Sequence, residues 1–304
     1  MEKINFSVNF THEQLAERRI LANQLKQSPR IQAFIKKYDV SDTYFLNHVQ
    51  KFADWLQTVS LCDGCKGLAF CRQPETGIIL DLQITPIIQN VVAFCDYKLE
   101  EKQSQQHLSA YRINDLSTPM SKVSLNDLNL EEEKGAYLDS LHKIIEWVEN
   151  PAETGFYLYG HPGVGKTHLA ACVSNYFAKK EKSVAFVHYP SFVQRMKNSF
   201  DDSEFIDQQL AHLKNVYFLV LDDIGAESVT SWTRDELLFP ILNSRMEEKR
   251  ATWFTSNDDF SSLKNHFMYN QRQDKEEMKA VRIMERIETL TKPLLISGKN
   301  RRKE

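Results

Sequence analysis

Residues 156–177 read FYLYGHPGVGKTHLAACVSNYF: an apolar run, a glycine-rich turn closed by Lys166 and Thr167, then apolar residues at helical spacing. The turn, Gly160-His161-Pro162-Gly163-Val164-Gly165-Lys166-Thr167, fits G-x-x-x-x-G-K-[ST] in full. Its glycines let the backbone curl so that successive N–H groups face a phosphate, while the next helix presents its positive end. In such a cradle the lysine, here Lys166, reaches the β- and γ-phosphates of ATP, and the Thr167 hydroxyl ligates Mg²⁺. The cradle extends to His168; His161 and His168 read as loop and helix-surface residues, not catalysts. Cys172, one turn further on, reads as core packing.

Fifty-five residues beyond Thr167 the run VYFLVLDD (216–223) ends in two acids. A short apolar run of this kind is a strand buried on both faces, and ligands of open α/β sheets bind at the carboxyl edge of such strands. Asp222 is placed to hold Mg²⁺ and Asp223 to orient the attacking water. ATWFTSN (251–257) gives another strand, with Asn257 at its end facing the γ-phosphate or the water. Around these, Phe156–Tyr159, Val184–His188 and PLLIS (293–297) read as strands. Helices are expected at Lys166–Lys180, between Ser191 and Lys214, and at Ser231–Lys249 and Lys275–Leu290. The alternation predicts an α/β domain with a five-stranded parallel sheet covered by helices on both sides.

The first hundred residues have a different rhythm. Leu15, Leu21 and Leu25 recur at near-helical spacing and Tyr44–Val59 reads as an amphipathic helix. Cys62, Cys65, Cys71 and Cys95 then follow in a C-x2-C-x5-C-x23-C spacing. Four thiolates close a tetrahedral Zn²⁺ shell; the other reading is buried core thiols. The polar stretch EEKQSQQHLSAYRINDLSTPMSKVS (100–124) reads as a linker. This predicts a mainly helical zinc-binding domain at 1–100, a linker at 101–125 and an ATPase domain at 126–304. A net charge of −3 gives no global basic field, so any nucleic-acid contact needs a local patch. The amino terminus lacks a leader pattern and no apolar run spans a bilayer. An odd count of five cysteines then points to a reducing cytoplasm.

Cradle, acid pair and strand-end asparagine, in this order on five strands, resemble the AAA+ ATPase core. GHPGVGKTHLA (160–170), LVLDDIGAE (219–227) and VRIMERIETL (281–290) resemble bacterial replicative helicase loaders of the DnaI/DnaC kind, over about Thr118 to Ile296. The resemblance implies ATP hydrolysis, with Arg286 as a finger reaching a neighbouring subunit's ATP; the other reading is a helix-surface arginine paired with Glu285 or Glu288. It also implies a zinc module that grips the replicative DNA helicase, contact with single-stranded DNA and other primosome proteins, and self-association through the ATP site. Two departures stand out: Asp223 where many AAA+ proteins carry Glu, and only eight residues after Ile296, so that the helical lid is expected to be lacking. IstB-like accessory ATPases of transposition share this core and are the rival assignment; a P-loop kinase and a non-enzymatic zinc adaptor are rivals of other classes. For DNA, the segment from Tyr189 to Lys214 mixes Tyr189, Phe192 and Phe200 with Arg195 and Lys197, either a stacking surface with positive charge or a helix packed on the sheet. Residues 270–304 add a local basic excess.

Overall fold

The computed structural model describes residues 11–128, 130, 135–269 and 274–301. Residues 1–10, read as carrying no leader, and 270–273 and 302–304 of the basic stretch lie outside them. The chain falls into two compact units, Met1–Gln103 and Ser104–Glu304.

In the first unit, α1 (His12–Leu25) opens on a capping box in which the Thr11 hydroxyl accepts from the Gln14 N–H and the Gln14 side chain accepts from Thr11 N–H. Pro29 sits at the first position of α2 (Pro29–Tyr38), where its missing N–H has no helical partner to lose. The helix expected over 44–59 is two, α3 (Asp42–Asn47) and α4 (Val49–Ser60), parted at His48. Ile31, Phe34, Phe45, Val49 and Phe52 form the core, with Phe34 edge-on to Phe52 at 5.3 Å. A hairpin of β1 (Ile78–Ile84) and β2 (Ile88–Phe94) follows, then α5 (Asp96–Gln105). The expectation of a mainly helical unit therefore omitted an antiparallel pair.

The second unit corrects the strand count. The stretch taken as a linker supplies β3 (Tyr111–Asn114), a sixth strand on the edge of the sheet. Tyr111 and Ile113 point inward while Arg112 and Asn114 stay exposed, so a four-residue edge strand hides in a polar surround. After α6 (Ala136–Glu149) come β4 (Gly155–Tyr159), α7 (Lys166–Lys179), β5 (Val184–His188), α8 (Tyr189–Asn198), α9 (Ser203–Asn215) and β6 (Phe218–Asp222). A π-helical turn, Trp232–Leu238, runs into α10 (Phe239–Glu247). The chain then gives β7 (Thr252–Ser256), α11 (Phe260–Met268), α12 (Glu277–Leu290) and β8 (Thr291–Leu295).

All six strands are parallel, in the order β3-β5-β6-β7-β4-β8. Side chains alternate between two cores: Tyr157, Val187, Leu219, Leu221 and Phe254 enter one, and Phe156, Leu158, Phe186, Val220 and Trp253 enter the other. Residues of α6 and α7 cover the second core, and residues of α8 to α12 the first. With both faces covered, the four inner strands β5, β6, β7 and β4 carry no exposed position, which is why they read as largely apolar runs. Each fully buried Leu or Phe stabilises the fold by roughly 1.5–3 kcal/mol. Strand order brings the carboxyl ends of β6, β7 and β4 side by side, and there the site lies.

Candidate nucleotide site

Tyr159, the last residue of β4, pairs with Ser256 at the end of β7. The cradle leaving β4 therefore starts beside Asn257. Asp222 lies in register with His188 of β5. Gly160 has φ +137, and a Cβ on it would lie 2.4 Å from the Ile296 carbonyl oxygen, so only glycine lets the chain turn there. Val164 anchors the loop by burying its side chain in the core.

A cavity of about 680 Å³ is lined by Pro162, Gly163, Gly165, Lys166, Thr167, His168, His188, Asp222, Asp223, Thr255 and Asn257, together with Met120 and Arg301. The Lys166 ammonium donates to the carbonyls of Gly160 (2.8 Å) and His161 (3.0 Å) and to Asn257 Oδ1 (2.9 Å). Asn257 Nδ2 in turn donates to Asp223 Oδ1 at 3.3 Å. Lysine, asparagine and second acid thus form one chain of hydrogen bonds. His188 Nε2 stands 3.9 Å from the other Asp223 oxygen.

Asp222 is 4% exposed. Burial pushes its pKa up, opposed by the hydroxyls of Thr255 and Thr167. Thr255 Oγ1 donates to Asp222 Oδ1 at 2.6 Å and accepts from the Asp223 N–H at 2.9 Å. One hydroxyl thereby fixes both acids, a role for Thr255 that no sequence pattern announced. The buried carboxylate facing the Thr167 hydroxyl is a hard oxygen pair of the kind Mg²⁺ takes. Asp223 adopts φ +59, a left-handed corner immediately after the strand.

Of the other expected residues, His168 lines the cavity and the rest stand apart from it. His168 is half-buried on α7; burial, then the charge of Arg301, lowers its pKa. Cys172 is buried, its pKa pushed up to about 12, as a packing thiol should be. Arg286, on α12, does not line its own chain's cavity: it donates to Asn243 Oδ1 (3.1 Å) and the Arg282 carbonyl (2.8 Å), and stacks over Phe239. The stacking surface considered for DNA is largely core. Tyr189 and Phe192 are 1% and 0% exposed, and Arg195 pairs with Asp115 at 2.8 Å; of the three aromatics only Phe200 is exposed. A helix needs an apolar face to pack on the sheet, and these aromatics are that face.

In the first unit Cys62, Cys65, Cys71 and Cys95 line a single cavity of about 610 Å³. Gln73 Nε2 donates to Cys62 Sγ at 3.2 Å and the Gly77 N–H to Cys71 Sγ at 3.4 Å. Hydrogen bonds from the backbone at Gly77, then Gln73, lower the pKa of Cys71. Among the described residues, however, no three His, Cys, Asp or Glu side chains are gathered closely enough to hold a metal ion.

Comparison with known proteins places this geometry. Residues 97–303 match the family model of IstB-like ATP binding proteins. The chain is 34% identical to the replicative helicase loader DnaI of Bacillus subtilis (strain 168), over 90% of this chain and 89% of that protein. It belongs to the DnaI family of replicative helicase loaders. The alignment takes in most of both units, whereas similarity to the replicative helicase loader DnaC of Escherichia coli (strain K12) is partial, 29% over 44% of this chain and 56% of that one. A crystal structure of DnaI, 32% identical, superposes on 64% of this chain and 99% of its own with a TM-score of 0.53. The IstB-like model covers the second unit and only the last few residues of the first, whereas similarity to DnaI takes in 90% of this chain, so the transposition assignment is not favoured.

Proposed function

We propose that the chain binds the replicative DNA helicase and delivers it onto single-stranded DNA, with ATP bound as Mg²⁺–ATP at the β4–α7 cradle. The observation that carries this is the hydrogen-bonded chain Lys166–Asn257–Asp223 beside buried Asp222, in a protein related to a DnaI along nearly its whole length. Lys166 and the loop amides hold the phosphates, Thr167 and Asp222 hold Mg²⁺, and Asp223 and Asn257 orient the water that attacks the γ-phosphate. Mg²⁺ supplies neutralisation of the developing phosphate charge. Arg286 completes a neighbouring subunit's site in a self-associated form.

The first unit grips the helicase. Its exposed hairpin face, with Leu80 and Val92 directly paired at 50% and 68% exposure, supports that role. The same unit would take Zn²⁺ on Cys62, Cys65, Cys71 and Cys95; their lining of one cavity supports this. DNA contact falls to the basic stretch near the carboxyl terminus, and other primosome proteins in a cytoplasmic complex are the setting. Among the described residues no helix is long and apolar enough to cross a membrane.

The test is helicase loading onto a primed single-stranded circle. Purified chain should raise helicase occupancy in the presence of ATP and Mg²⁺, and Lys166→Ala should abolish the gain while still folding. Unchanged loading with Lys166→Ala, or no helicase bound by wild type, refutes the reading. Metal analysis should give about one zinc per chain, lost in the Cys62→Ser, Cys65→Ser double variant; protein purified without chelator and free of zinc returns the cluster to packing.

A further inference from the structure

Between Ser231 and Glu247 the chain would run as one α-helix but for Pro240, which has no N–H to offer the Glu236 carbonyl. The helix widens just before it: Phe239 N–H donates to the Arg234 carbonyl, five residues back, closing the π-helical turn Trp232–Leu238. One extra residue in a turn rotates everything after it by about 100° around the helix axis. The turn therefore decides which face α10 shows to α12. That face carries Phe239 and Asn243, four residues apart and so on successive turns, with Glu247 next in line.

Two arginines clamp these helices together, and they differ in what surrounds the charge. At the start of α12 the buried Arg234 guanidinium donates to Asp235 Oδ1 (2.7 Å), Glu276 Oε2 (2.8 Å) and the Phe267 carbonyl (3.1 Å), so two carboxylates neutralise it. Further along α12, Arg286 Nε donates to Asn243 Oδ1 and Nη1 to the Arg282 carbonyl, with the Phe239 ring 4.3 Å from the guanidinium. Asn243 Nδ2 donates to Glu247 Oε1 at 2.7 Å, which turns the amide so that its oxygen faces Arg286. Every close acceptor of Arg286 is neutral. Glu285 stands 3.8 Å away and is itself exposed, beyond hydrogen-bonding distance. The Arg286 side chain is only 16% exposed, and among the described residues nothing hydrogen-bonds its Nη2. A charge held by a ring, an amide and a carbonyl, with no carboxylate to balance it, is preorganised for an anion from outside.

We propose that Phe239 and Asn243 are positioning residues for Arg286: they hold its guanidinium ready for the phosphates of a neighbouring subunit's nucleotide. This rests on Arg286 acting in trans, as proposed above. An arginine already held on α10 gives up less rotamer freedom on reaching a phosphate than one waving free. The π-helical turn then serves the site at a distance, by setting the phase of the helix that holds the arginine.

ATP turnover of the full-length protein at saturating ATP, with single-stranded DNA and helicase present, tests this. Asn243→Ala should lower turnover roughly three- to tenfold, the cost of one ordinary hydrogen bond, while affinity for a non-hydrolysable ATP analogue and the urea midpoint stay at wild-type values. Phe239→Leu should act in the same direction. In an Arg286→Ala background Asn243→Ala should cost nothing more, because nothing is left to hold. Mixing Asn243→Ala with Lys166→Ala subunits should recover part of the turnover, since the second supplies a well-held Arg286 to the first one's cradle. Wild-type turnover in Asn243→Ala overturns the inference and leaves the trans arginine standing. So does a lowered urea midpoint, or an equal further loss in the Arg286→Ala background, either of which assigns Asn243 to packing. Full turnover by Arg286→Ala removes the trans arginine itself, and this inference falls with it.

Discussion

Replacing Asp222 with Asn should separate the stability of the fold from its function, in opposite directions. The side chain is 4% exposed, and its Oδ1 accepts from Thr255 at 2.6 Å. Asparagine keeps that acceptor and can donate to Thr167. The exchange weakens a hydrogen bond to a charged group, worth about 1.5–3 kcal/mol, to a neutral one of about 0.5–1.5 kcal/mol, a loss of about 1 kcal/mol. Against this, a buried carboxylate with no cation at its side carries a desolvation penalty of several kcal/mol. Repulsion from Asp223 is relieved as well. The balance favours the variant by about 1–2 kcal/mol, or roughly 2–8 °C in Tm for a unit of this size. With Mg²⁺ and a non-hydrolysable ATP analogue at a hundred times Kd, wild type gains about 2.7 kcal/mol. The variant keeps only the part that does not depend on Mg²⁺. Thermal unfolding followed by circular dichroism, with and without metal and nucleotide, should therefore show the order of the two proteins invert. Asp222→Asn melting below wild type without ligand, or showing the same Mg²⁺-dependent gain, would refute the reasoning.

Arg286→Ala should leave nucleotide affinity intact and lower ATPase turnover at least tenfold, with partial recovery on mixing with Lys166→Ala subunits; full turnover that does not depend on protein concentration would remove it from the site. Arg245, 0% exposed, donates to Thr252 Oγ1 and to the carbonyls of Leu213, Val216 and Ala251, and burial, then Arg250, lowers its pKa to about 9. Arg245→Leu orphans those carbonyls and should cost about 3–5 kcal/mol in urea unfolding, and a loss under 1 kcal/mol would contradict that account. At His266 burial alone would lower the pKa, but Glu227, 3.5 Å away, outweighs it and the net direction is up. A raised folded pKa gives stability that is complete below about pH 6.5 and lost as pH rises through the folded value. His266→Gln should flatten that decline, and an unchanged pH profile would exclude the pair as its source.

The chemistry-bearing part of the molecule was legible because its signals are local. The motif is contiguous from Gly160 to Thr167, and Asp222 ends a buried strand and lines the same cavity. What sequence missed depends on partners far along the chain. The strand at Tyr111–Asn114 is short, half polar and defined only by pairing with β5. Thr255 looks like any strand threonine until β6 is laid beside it. The aromatics of α8 looked available to DNA because a periodic apolar face does not say whether a sheet or a ligand covers it. Arg301 was counted in a basic excess, since nothing local reveals that its N–H donates to the Gly163 carbonyl and its side chain lines the cavity.

The backbone corner at Asp223 bears on the shorter acid found there. Beyond glycine, only Asn, Asp and His are at all common at positive φ, because a short polar stem avoids the carbonyl clash that longer side chains meet. Thr255 Oγ1 holds that corner through the residue's own N–H, so the bend is part of the sheet's construction. On the proposed reading a glutamate would extend closer to the attacking water but would have to strain the bend to do so. The distance between acid and water would then be set by a dihedral angle as much as by side-chain length, and with it the time for which bound ATP would stay intact.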